Sequence, residues 1–329
     1  MKTDDCDVSQ IQCRSTPACY LCRSQGKVLY EGLKDRLFGA PGRWNFRLCS
    51  NPDCGAVWLD PVPVEQEIRK AYARYYTHAT STAREASLIA ILRKAVSRAL
   101  WFTDPLRLER KRLSLMYLDE SKPGKLLDVG CGGGIRLSRF RALGWDVCGQ
   151  DVDPEAIAQA QQSLGLEAHL GPLEDIRFPE MSFDCITLNH VIEHVHDPTS
   201  LLTECRRILK KEGHLVVVTP NVRSFAHKHF GPFWRGLEPP RHIHLFSPKT
   251  LAAVAGKAGL IVRRLSTTVA NTKTFAHGSL LIRSEGHVSS GFATKVIRHA
   301  YVMGFLYRSM LAHARDSDSG EECVLLASK

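Results

Sequence analysis

The chain has 329 residues, of which 24% are charged and 44% are hydrophobic, and its formal net charge is +10. These values are typical of an ordinary globular protein and exclude a disordered or collagen-like chain. No apolar run reaches the roughly 18 residues that a membrane-spanning helix needs. The positive charge attracts nucleic acid, anionic lipid or a phosphorylated substrate without choosing among them.

The start of the chain and its cysteines bear on the cellular compartment. MKTDDCDVSQ has two acids within its first five residues and no apolar core, so we expect no signal peptide and a soluble, cytoplasmic protein. The eleven cysteines favour reduced thiols over a disulfide framework, because their number is odd and they are spread along the chain. Cys148, Cys185 and Cys323 fall in predicted strands, where we expect them to act as small core hydrophobes.

Residues 1–80 are rich in Cys, Pro, Gly and aromatic residues and have no long periodic run, which predicts a small loop-rich module. Two cysteine pairs in this module, with C-x2-C and C-x4-C spacing, are Cys19, Cys22, Cys49 and Cys54. Four thiolates on two short loops suit a tetrahedral zinc ion in a closed, structural site. We therefore predict a zinc-ribbon-like module, with unmetallated thiols as the alternative.

Residues 81–122 are predicted to form a helical linker or cap. Leu88, Leu92, Val96 and Leu100 recur at every fourth position, which is typical of an amphipathic helix. The stretch that follows, PLRLERKRLSLMYL, is rich in basic residues. We expect this region to pack on the protein itself, and contact with a membrane surface is the alternative.

Residues 123–329 alternate between strand and helix patterns, which predicts a doubly wound, Rossmann-like α/β sheet. The seven predicted strands cover residues 125–129, 145–150, 166–170, 183–188, 214–219, 260–266 and 323–328. One predicted helix covers residues 154–164, where Pro154 suits a first helical turn. An insertion over residues 270–318 separates the last two strands and contains a further predicted helix over 294–314.

Three glycines, Gly130, Gly132 and Gly134, directly follow the first of these strands. Glycine permits a positive φ and lets a ligand approach bare backbone. Ile135 breaks the G-x-G-x-x-G spacing of a dinucleotide site, and no Gly-Lys-Ser/Thr ending of a phosphate loop follows, so a diphosphate ligand is disfavoured. Asp151 ends the second strand, 21 residues after Gly130, where an acid binds ribose hydroxyls. Ribose without a diphosphate suggests an adenosyl group.

The stretches LLDVGCGGG, GQDVDP and LEDIRFPEMSFDCITLNHVIEHVHDP resemble the motifs of the first, second and fourth strands of class I S-adenosylmethionine-dependent methyltransferases. The resemblance implies that S-adenosylmethionine binds with its methionine part beside Asp128 and with its ribose on Asp151. Glu174 is the expected adenine contact, because Gly171-Pro172 replaces the Gly-Asp of many relatives. The full predicted cofactor set is Asp128, Gly130, Gly132, Gly134, Asp151, Val152, Glu174 and Asn189.

The stretch CGAVWLDPVPVEQEIRKAYARYY is similar to the N-terminal zinc module of methyltransferases that act on sugars and other small metabolites, including nucleotide-sugar C-methyltransferases. This similarity implies that Tyr72, Tyr75 or Tyr76 lines the acceptor pocket. Packing of these tyrosines between the module and the main domain is the alternative. Residues 230–242, FGPFWRGLEPPRH, would form an acceptor lid, and the predicted contacts of this region are Trp234, Arg241 and His244.

Histidines follow the fourth and fifth strands of the sheet, where ligands bind in such folds, and they are His190, His194, His196, His242 and His244. Histidine titrates near neutral pH and suits a general base. Similarity to the sugar C-methyltransferases, whose motifs read roughly N-N-V-L-A-H-I and E-H-x-x-Y-x-S, implies His242 or His194 as the base. Here Glu193 replaces an alanine and Arg241 replaces a glutamate, which favours the O-methyltransferases that carry a Glu-His pair. A metal site at Glu193 and His194 would lack an obvious third ligand.

We therefore expect an enzyme that transfers a methyl group from S-adenosylmethionine to an oxygen, or a carbon, of a small molecule, with sugar-linked and phosphorylated acceptors as candidates. An rRNA or tRNA methyltransferase with zinc-dependent RNA binding is one alternative. Against it, the basic residues are scattered, without a stripe interleaved with aromatics. A non-catalytic protein that binds S-adenosylmethionine as a partner of other proteins is the second alternative. The oligomeric state is not predicted.

Overall fold

The N-terminal part of the chain forms short strands that pack into a small sheet. The structure, a computed structural model, describes residues 11–72, 105–284 and 292–329, with the backbone only for residues 292–295. Five strands precede residue 64, namely β1 (Cys13–Arg14), β2 (Gly26–Leu33), β3 (Trp44–Cys49), β4 (Val57–Leu59) and β5 (Val62–Pro63). A 3-10 helix over Glu65–Tyr72 follows them. The predicted helix around residues 87–101 lies outside the described residues.

The later strands build the main sheet. They are β6 (Lys125–Val129), β7 (Asp146–Asp151), β8 (Glu167–Leu170), β9 (Phe183–Asn189), β10 (Leu209–Pro220), β11 (His244–Leu245), β12 (Ile261–Thr268) and β13 (Glu322–Ser328). Seven of them form one sheet in the order β12-β13-β10-β9-β6-β7-β8. Strand β13 runs antiparallel to β10 and β12, whereas the other pairs in this sheet are parallel. All seven predicted strands of the α/β sheet are confirmed.

Helices cover both faces of this sheet. They are α1 (Arg107–Ser114), α2 (Ile135–Ala142), α3 (Pro154–Leu164), α4 (Leu173–Ile176), α5 (Pro198–Ile208), α6 (Phe225–Phe230), α7 (Pro248–Lys257), α8 (Thr272–Arg283) and α9 (Phe292–Arg315). The predicted helices over 154–164 and 294–314 are confirmed as α3 and α9, and the insertion contains one more helix, α8. No helix within the described ranges is long and apolar enough to cross a membrane.

Local sequence explains where several helices begin. Asp153, Asp197 and Ser247 each accept a hydrogen bond from a backbone N–H of the first turn of α3, α5 and α7. A proline occupies the first turn of each of these helices, where its missing N–H costs nothing. Helix α3 ends at Gly165, whose left-handed φ of 58° terminates it. The start of each of these helices is therefore set by its own capping residue and by the proline that follows it.

Alternate residues of the central strands enter two separate apolar layers. Leu127, Ile186 and Val217 belong to the layer on one face, and Leu126 and Val216 belong to the layer on the other. All five side chains are fully buried. Burying one such side chain contributes about 1.5–3 kcal/mol to folding, so the strand positions are fixed from both sides. Cys148, Cys185 and Cys323 are buried in these layers, as expected for cysteines in the predicted strands.

The N-terminal module is joined to the main domain by a shared sheet. Strand β11, which lies directly after the lid segment (residues 230–242), pairs with β4, so the small sheet has the order β11-β4-β3-β2. One apolar cluster spans this junction and contains Trp44 and Phe46 of the module, Trp234 of the lid segment, and Phe275 and Phe305 of α8 and α9. The module, the lid segment and the insertion therefore share one core.

Arg241 links the lid segment to the module by a buried ion network. Its Nη2 lies 2.8 Å from Asp35 Oδ2, its Nε lies 3.0 Å from Glu238 Oε1, and its Nη1 donates to the carbonyl of Ala71 at 2.7 Å. The guanidinium lies over the ring of Phe38, 4.7 Å from its centroid. Arg241 has no exposed surface, so its positive charge must be balanced inside the protein.

Replacing Arg241 should strongly destabilise the fold. Arg241→Ala leaves the buried Asp35 without its cation and Glu238 with Arg235 alone, and we expect a loss of about 3–5 kcal/mol in the free energy of unfolding. Urea unfolding followed by tryptophan fluorescence measures it. The matched control is Arg264→Ala on β12, where the side chain is exposed, and its effect should be below about 0.5 kcal/mol. Equal effects for both variants would contradict a structural role of the network.

Candidate active site

The three predicted glycines form a loop of bare backbone between β6 and α2. Gly130, Gly132 and Gly134 have φ values of 68°, 53° and 78°, in the left-handed region that favours glycine. A Cβ on Gly130 would lie 2.4 Å from Val191 Cγ2, whereas a Cβ on Gly132 would have no heavy atom within 4 Å. Gly130 is therefore required by packing, and Gly132 by its backbone conformation, with its open side free for a ligand.

Asp128 lies under this loop and is fully buried. Its Oδ1 accepts a hydrogen bond from Thr187 Oγ1 at 2.7 Å and lies 3.6 Å from Arg136 Nη1. Burial raises the pKa of Asp128, against the opposing attraction of Arg136. Among the described residues, its Oδ2 has no hydrogen-bond partner. A buried carboxylate oxygen without a partner is unfavourable, so a donor from a ligand would stabilise it.

Asp151 connects the end of β7 to the glycine loop. Its Oδ2 accepts the N–H of Gly132 at 2.8 Å, and its Oδ1 accepts the N–H of Asp153 at 3.0 Å. Burial raises the pKa of Asp151, although both backbone hydrogen bonds favour the charged form. Val152 and Leu170, at the ends of β7 and β8, are 56% and 53% exposed. An acid next to exposed apolar side chains is a suitable surface for a nucleoside.

The structure brings together most of the predicted cofactor residues. Asp128, the three glycines, Asp151 and Val152 surround one loop at the carboxyl ends of β6 and β7. Asn189 ends the neighbouring strand β9 and is half-buried. Glu174 lies on the short helix α4 with an exposed side chain, so its assignment depends on the sequence resemblance alone.

Two predicted base candidates, His194 and His242, lie side by side. Their rings are 4.7 Å apart in an edge-to-face arrangement. The Nδ1 of His242 lies 2.7 Å from the carbonyl of Gly236, and the Nδ1 of His194 lies 3.1 Å from the carbonyl of Arg241. A carbonyl only accepts, so we assign the ring proton to Nδ1 in both residues. The Nε2 atoms are then unprotonated in the neutral rings.

Burial keeps both imidazoles neutral. Burial lowers the pKa of His242 well below its usual range, and the neighbouring His194 adds to the shift. Burial also lowers the pKa of His194, although the charge of Glu193 opposes this. His194 is half-buried and His242 is only 4% exposed, so an acceptor reaches His194 more easily. Both residues are competent proton acceptors at neutral pH.

Glu193 completes this group and pairs with a third histidine, His190, for which the sequence predicted no specific role. His190 Nδ1 lies 3.2 Å from Glu193 Oε1, and His190 Nε2 lies 2.7 Å from Glu322 Oε1. Burial alone would lower the pKa of His190, but its pairing with Glu193 and Glu322 raises it to about 10. Burial would raise the pKa of Glu193, but His190 lowers it to about 2. His190 is therefore an imidazolium between two carboxylates.

Sequence reasoning missed two members of this network. Thr219 on β10 donates its hydroxyl to Glu193 Oε2 at 2.8 Å, and Glu322 on β13 also accepts hydrogen bonds from Asn271 Nδ2. The sequence does contain a signal for Glu322, because it is an acid at the start of the last apolar strand. His190 itself has a left-handed φ of 56°, which is uncommon for a residue other than glycine and is found at functional sites.

The histidine pair and Glu193 also offer ligands for a metal ion. The sequence alone offered Glu193 and His194 without a third ligand, and the structure adds His242. One ligand atom from each of the three residues lies within 4.8 Å of the others. Two imidazoles and a carboxylate are a donor set for a divalent cation.

The predicted acceptor contacts lie in different environments. Tyr72 Oη is 3.0 Å from His194 Nδ1, so this tyrosine reaches the histidine pair. Tyr75 and Tyr76 lie outside the described residues. Trp234 is only 1% exposed and stacks on Phe275.

Arg241 and His244 do not line an open acceptor site as expected. Arg241 is buried in its ion network with Asp35 and Glu238. His244 packs against Tyr20 with the ring centroids 4.2 Å apart. Arg241, His244 and Trp234 are interior side chains because the lid segment and β11 pack directly onto the module.

The four predicted metal-ligating cysteines converge in the module. The Sγ atoms of Cys19 and Cys54 are 3.7 Å apart, and those of Cys22 and Cys49 are 3.4 Å apart. All four lie within 4.8 Å of one another, and none of the described cysteines forms a disulfide. A tetrahedral zinc with Zn–S bonds of about 2.3 Å requires sulfur atoms about 3.8 Å apart. The cluster fits a zinc ion.

Comparisons with known proteins agree with this geometry. A family profile described as a methyltransferase domain matches residues 102–265. A ubiquinone biosynthesis O-methyltransferase of Cereibacter sphaeroides is 36% identical over 147 residues, 41% of this chain and 60% of the relative. A protein of the same name from Xanthomonas axonopodis pv. citri is 30% identical over 175 residues, 50% of this chain and 72% of the relative.

A solved S-adenosylmethionine-dependent methyltransferase from Mesorhizobium loti aligns with 70% of this chain and 100% of its own, at 15% identity and a TM-score of 0.46. The chain spans about 60% of the length of the Cereibacter relative. On the strength of the Xanthomonas relative, matched over 72% of its length, the chain belongs to the class I S-adenosylmethionine-dependent methyltransferases.

Proposed function

We propose that the protein transfers a methyl group from S-adenosylmethionine to a hydroxyl oxygen of a small molecule. The observation that carries this proposal is the pair of imidazoles, His194 and His242, which pack against each other and are kept neutral by burial. Val191, three residues before His194, packs against Gly130 of the glycine loop. An alcohol or phenol acceptor needs a base to become a nucleophile, and neutral histidine supplies one. The relatives named as O-methyltransferases support oxygen as the acceptor atom.

The cofactor would be held by the loop that the sequence predicted. The unpaired Oδ2 of Asp128 fits the ammonium of the methionine part, and Asp151 fits the ribose hydroxyls. Val152 would cover one face of the adenine, with Asn189 and Glu174 at the edges of the site. When bound, S-adenosylmethionine supplies an electrophilic methyl group on a sulfonium.

A glycine substitution separates cofactor binding from stability. Gly132→Ala places a methyl group in the proposed site, and Gly165→Ala is the matched control, because both glycines have a similar φ and open space around the added Cβ. Each variant should lose about 1–2 kcal/mol of stability from the left-handed backbone. Only Gly132→Ala should weaken S-adenosylmethionine binding, by at least about tenfold (1.4 kcal/mol) in calorimetry. Similar affinities for both variants would place the cofactor elsewhere.

The chain's own residues would carry the acceptor's proton. The acceptor hydroxyl binds near Nε2 of the more exposed His194, with His242 directly behind it and Tyr72 on its Nδ1 side. One of the two Nε2 atoms takes the proton as the oxygen attacks the methyl group. The carboxylate of Glu193 then stabilises the imidazolium that forms. Position and proton removal are the main requirements of such an in-line displacement.

The acceptor class can be tested with labelled cofactor. We would incubate the protein with methyl-labelled S-adenosylmethionine and separate panels of phenols, sugars, phosphorylated sugars and structured RNA. Transfer to a hydroxyl of a small molecule supports the proposal, and transfer to phosphorylated sugars would define the acceptor that the net charge of +10 favours. Transfer to RNA alone, or cofactor binding without transfer to any panel, would contradict it.

The base should be visible in the pH dependence of turnover. Because burial lowers the pKa of both His194 and His242, the base stays unprotonated until the pH falls below 6.5. We therefore expect the acid limb of the kcat/KM profile below pH 6.5. Replacing the base with glutamine should reduce kcat by about 10²–10⁴. His214→Gln, an exposed histidine of β10, should leave the profile unchanged. Full turnover in both His194→Gln and His242→Gln would exclude these residues as the base.

We propose that the four cysteines hold one structural zinc ion. Four thiolates fill the coordination sphere, so the ion would have no open position for chemistry. We expect about one zinc per chain and its loss in Cys19→Ser, with a lower melting temperature, because zinc binding contributes directly to the folding of such sites. Cys13→Ser, which removes a cysteine outside the cluster, should keep the metal. Elemental analysis of both variants decides the matter, and equal metal content would exclude the cluster as the ligand set.

A further inference from the structure

A second group of potential metal ligands lies away from both sites described above. Cys148 is on β7, and Glu167 and His169 are on the neighbouring edge strand β8. Cys148 pairs directly with Glu167 in the parallel register. Residues 167 and 169 are two positions apart on a strand, so their side chains point to the same face of the sheet as Cys148. The register alone therefore brings these three groups together.

Two of the three distances between the ligand atoms match the edges of a tetrahedron around a metal ion. Cys148 Sγ lies 3.5 Å from Glu167 Oε1, and His169 Nε2 lies 3.2 Å from the same oxygen. All three atoms lie within 4.8 Å of one another, the limit that the four cysteines of the module also meet. Zinc bonds of about 2.3 Å to sulfur and about 2.0–2.1 Å to nitrogen and oxygen place ligand atoms about 3.3–3.6 Å apart.

The burial of the group resembles an open metal site. Cys148 is fully buried, while the side chains of Glu167 and His169 above it are 56% and 38% exposed. The two outer side chains lie between the buried thiol and solvent, so an ion would reach the thiol when they move apart. Lys125 lies close enough to act on both Cys148 and Glu167 by its charge, which should make binding weaker than at the four cysteines.

We propose that Cys148, Glu167 and His169 form a second zinc site, with three protein ligands and a fourth position open to solvent. The thiol proton, which points to Glu167 in the metal-free protein, passes to solvent when the sulfur binds the ion. The ion would tie β7 to β8, the two strands that end at Asp151 and Leu170 beside the proposed nucleoside surface. The site does not depend on the proposed methyl transfer.

The test counts metal ions on the full chain. Protein first equilibrated with one equivalent of zinc is titrated with further zinc by calorimetry, and in parallel with cobalt, whose thiolate charge-transfer absorption reports a bound sulfur. The wild type should take up one equivalent more than Cys148→Ala. His169→Ala changes a half-exposed residue and should fold normally, and it should weaken this equivalent by at least about tenfold, in line with the loss of a ligand.

His214→Ala, an exposed strand histidine of the same sheet, is the control and should keep the additional equivalent. Because the readout is a difference between wild type and variants, the state of the four-cysteine cluster does not enter it. A wild type that takes up no more metal than Cys148→Ala would overturn the proposal. An additional equivalent that persists unchanged in His169→Ala would do so as well.

Discussion

The burial of the Glu193 carboxylate is the constraint on which the candidate active site depends. A charge in the protein interior must be paired, and this one is paired with His190 and with the hydroxyl of Thr219. The backbone carbonyl of the same residue accepts the N–H groups of Ile243 and His244. One residue at the end of β9 therefore fixes a charge network in the main sheet and the chain that leaves the lid segment.

This double role explains why the module, the lid segment and the sheet form one unit. The hydrogen bonds to the carbonyl of Glu193 place β11 so that it can pair with β4 of the module. His242 lies just before β11, so the same anchor brings it next to His194. Arg241 is the residue before His242, and its pairing with Asp35 extends the connection into the module. The N-terminal module consequently shapes the site, although its four-cysteine cluster lies outside the group of Glu193, His194 and His242.

Local pattern predicted most of the fold. Three of the predicted features are short-range: the apolar runs of the central strands, the helix α3 that begins with a proline, and the glycine loop. They can be predicted because consecutive residues determine burial on both faces of a strand and the local backbone conformation. The convergence of the four cysteines followed from the spacing of each pair. The placement of Asp128 and Asp151 at strand ends next to the glycine loop was predictable for the same reason.

Contacts between distant parts of the chain could not be predicted in this way. Arg241 lies in a loop-like stretch of the sequence and was expected to contact the acceptor. It pairs instead with Asp35, which is 206 residues earlier, and no local pattern encodes that pairing. The link from His190 to Glu322 spans 132 residues and depends on the antiparallel placement of β13 next to β10. A sequence can indicate that histidines cluster after strands, but only the fold decides which of them is charged.

That decision has a consequence for catalysis. His190 is held between the carboxylates of Glu193 and Glu322. The charge of Glu193 favours uptake of a proton by His194 and His242, whereas burial lowers the pKa of both. In the proposed methyl transfer, the proton of the acceptor hydroxyl would pass to one of these imidazoles, and the carboxylate of Glu193 would stabilise the charge that forms. Burial and one neighbouring carboxylate together set the proton affinity of the proposed base.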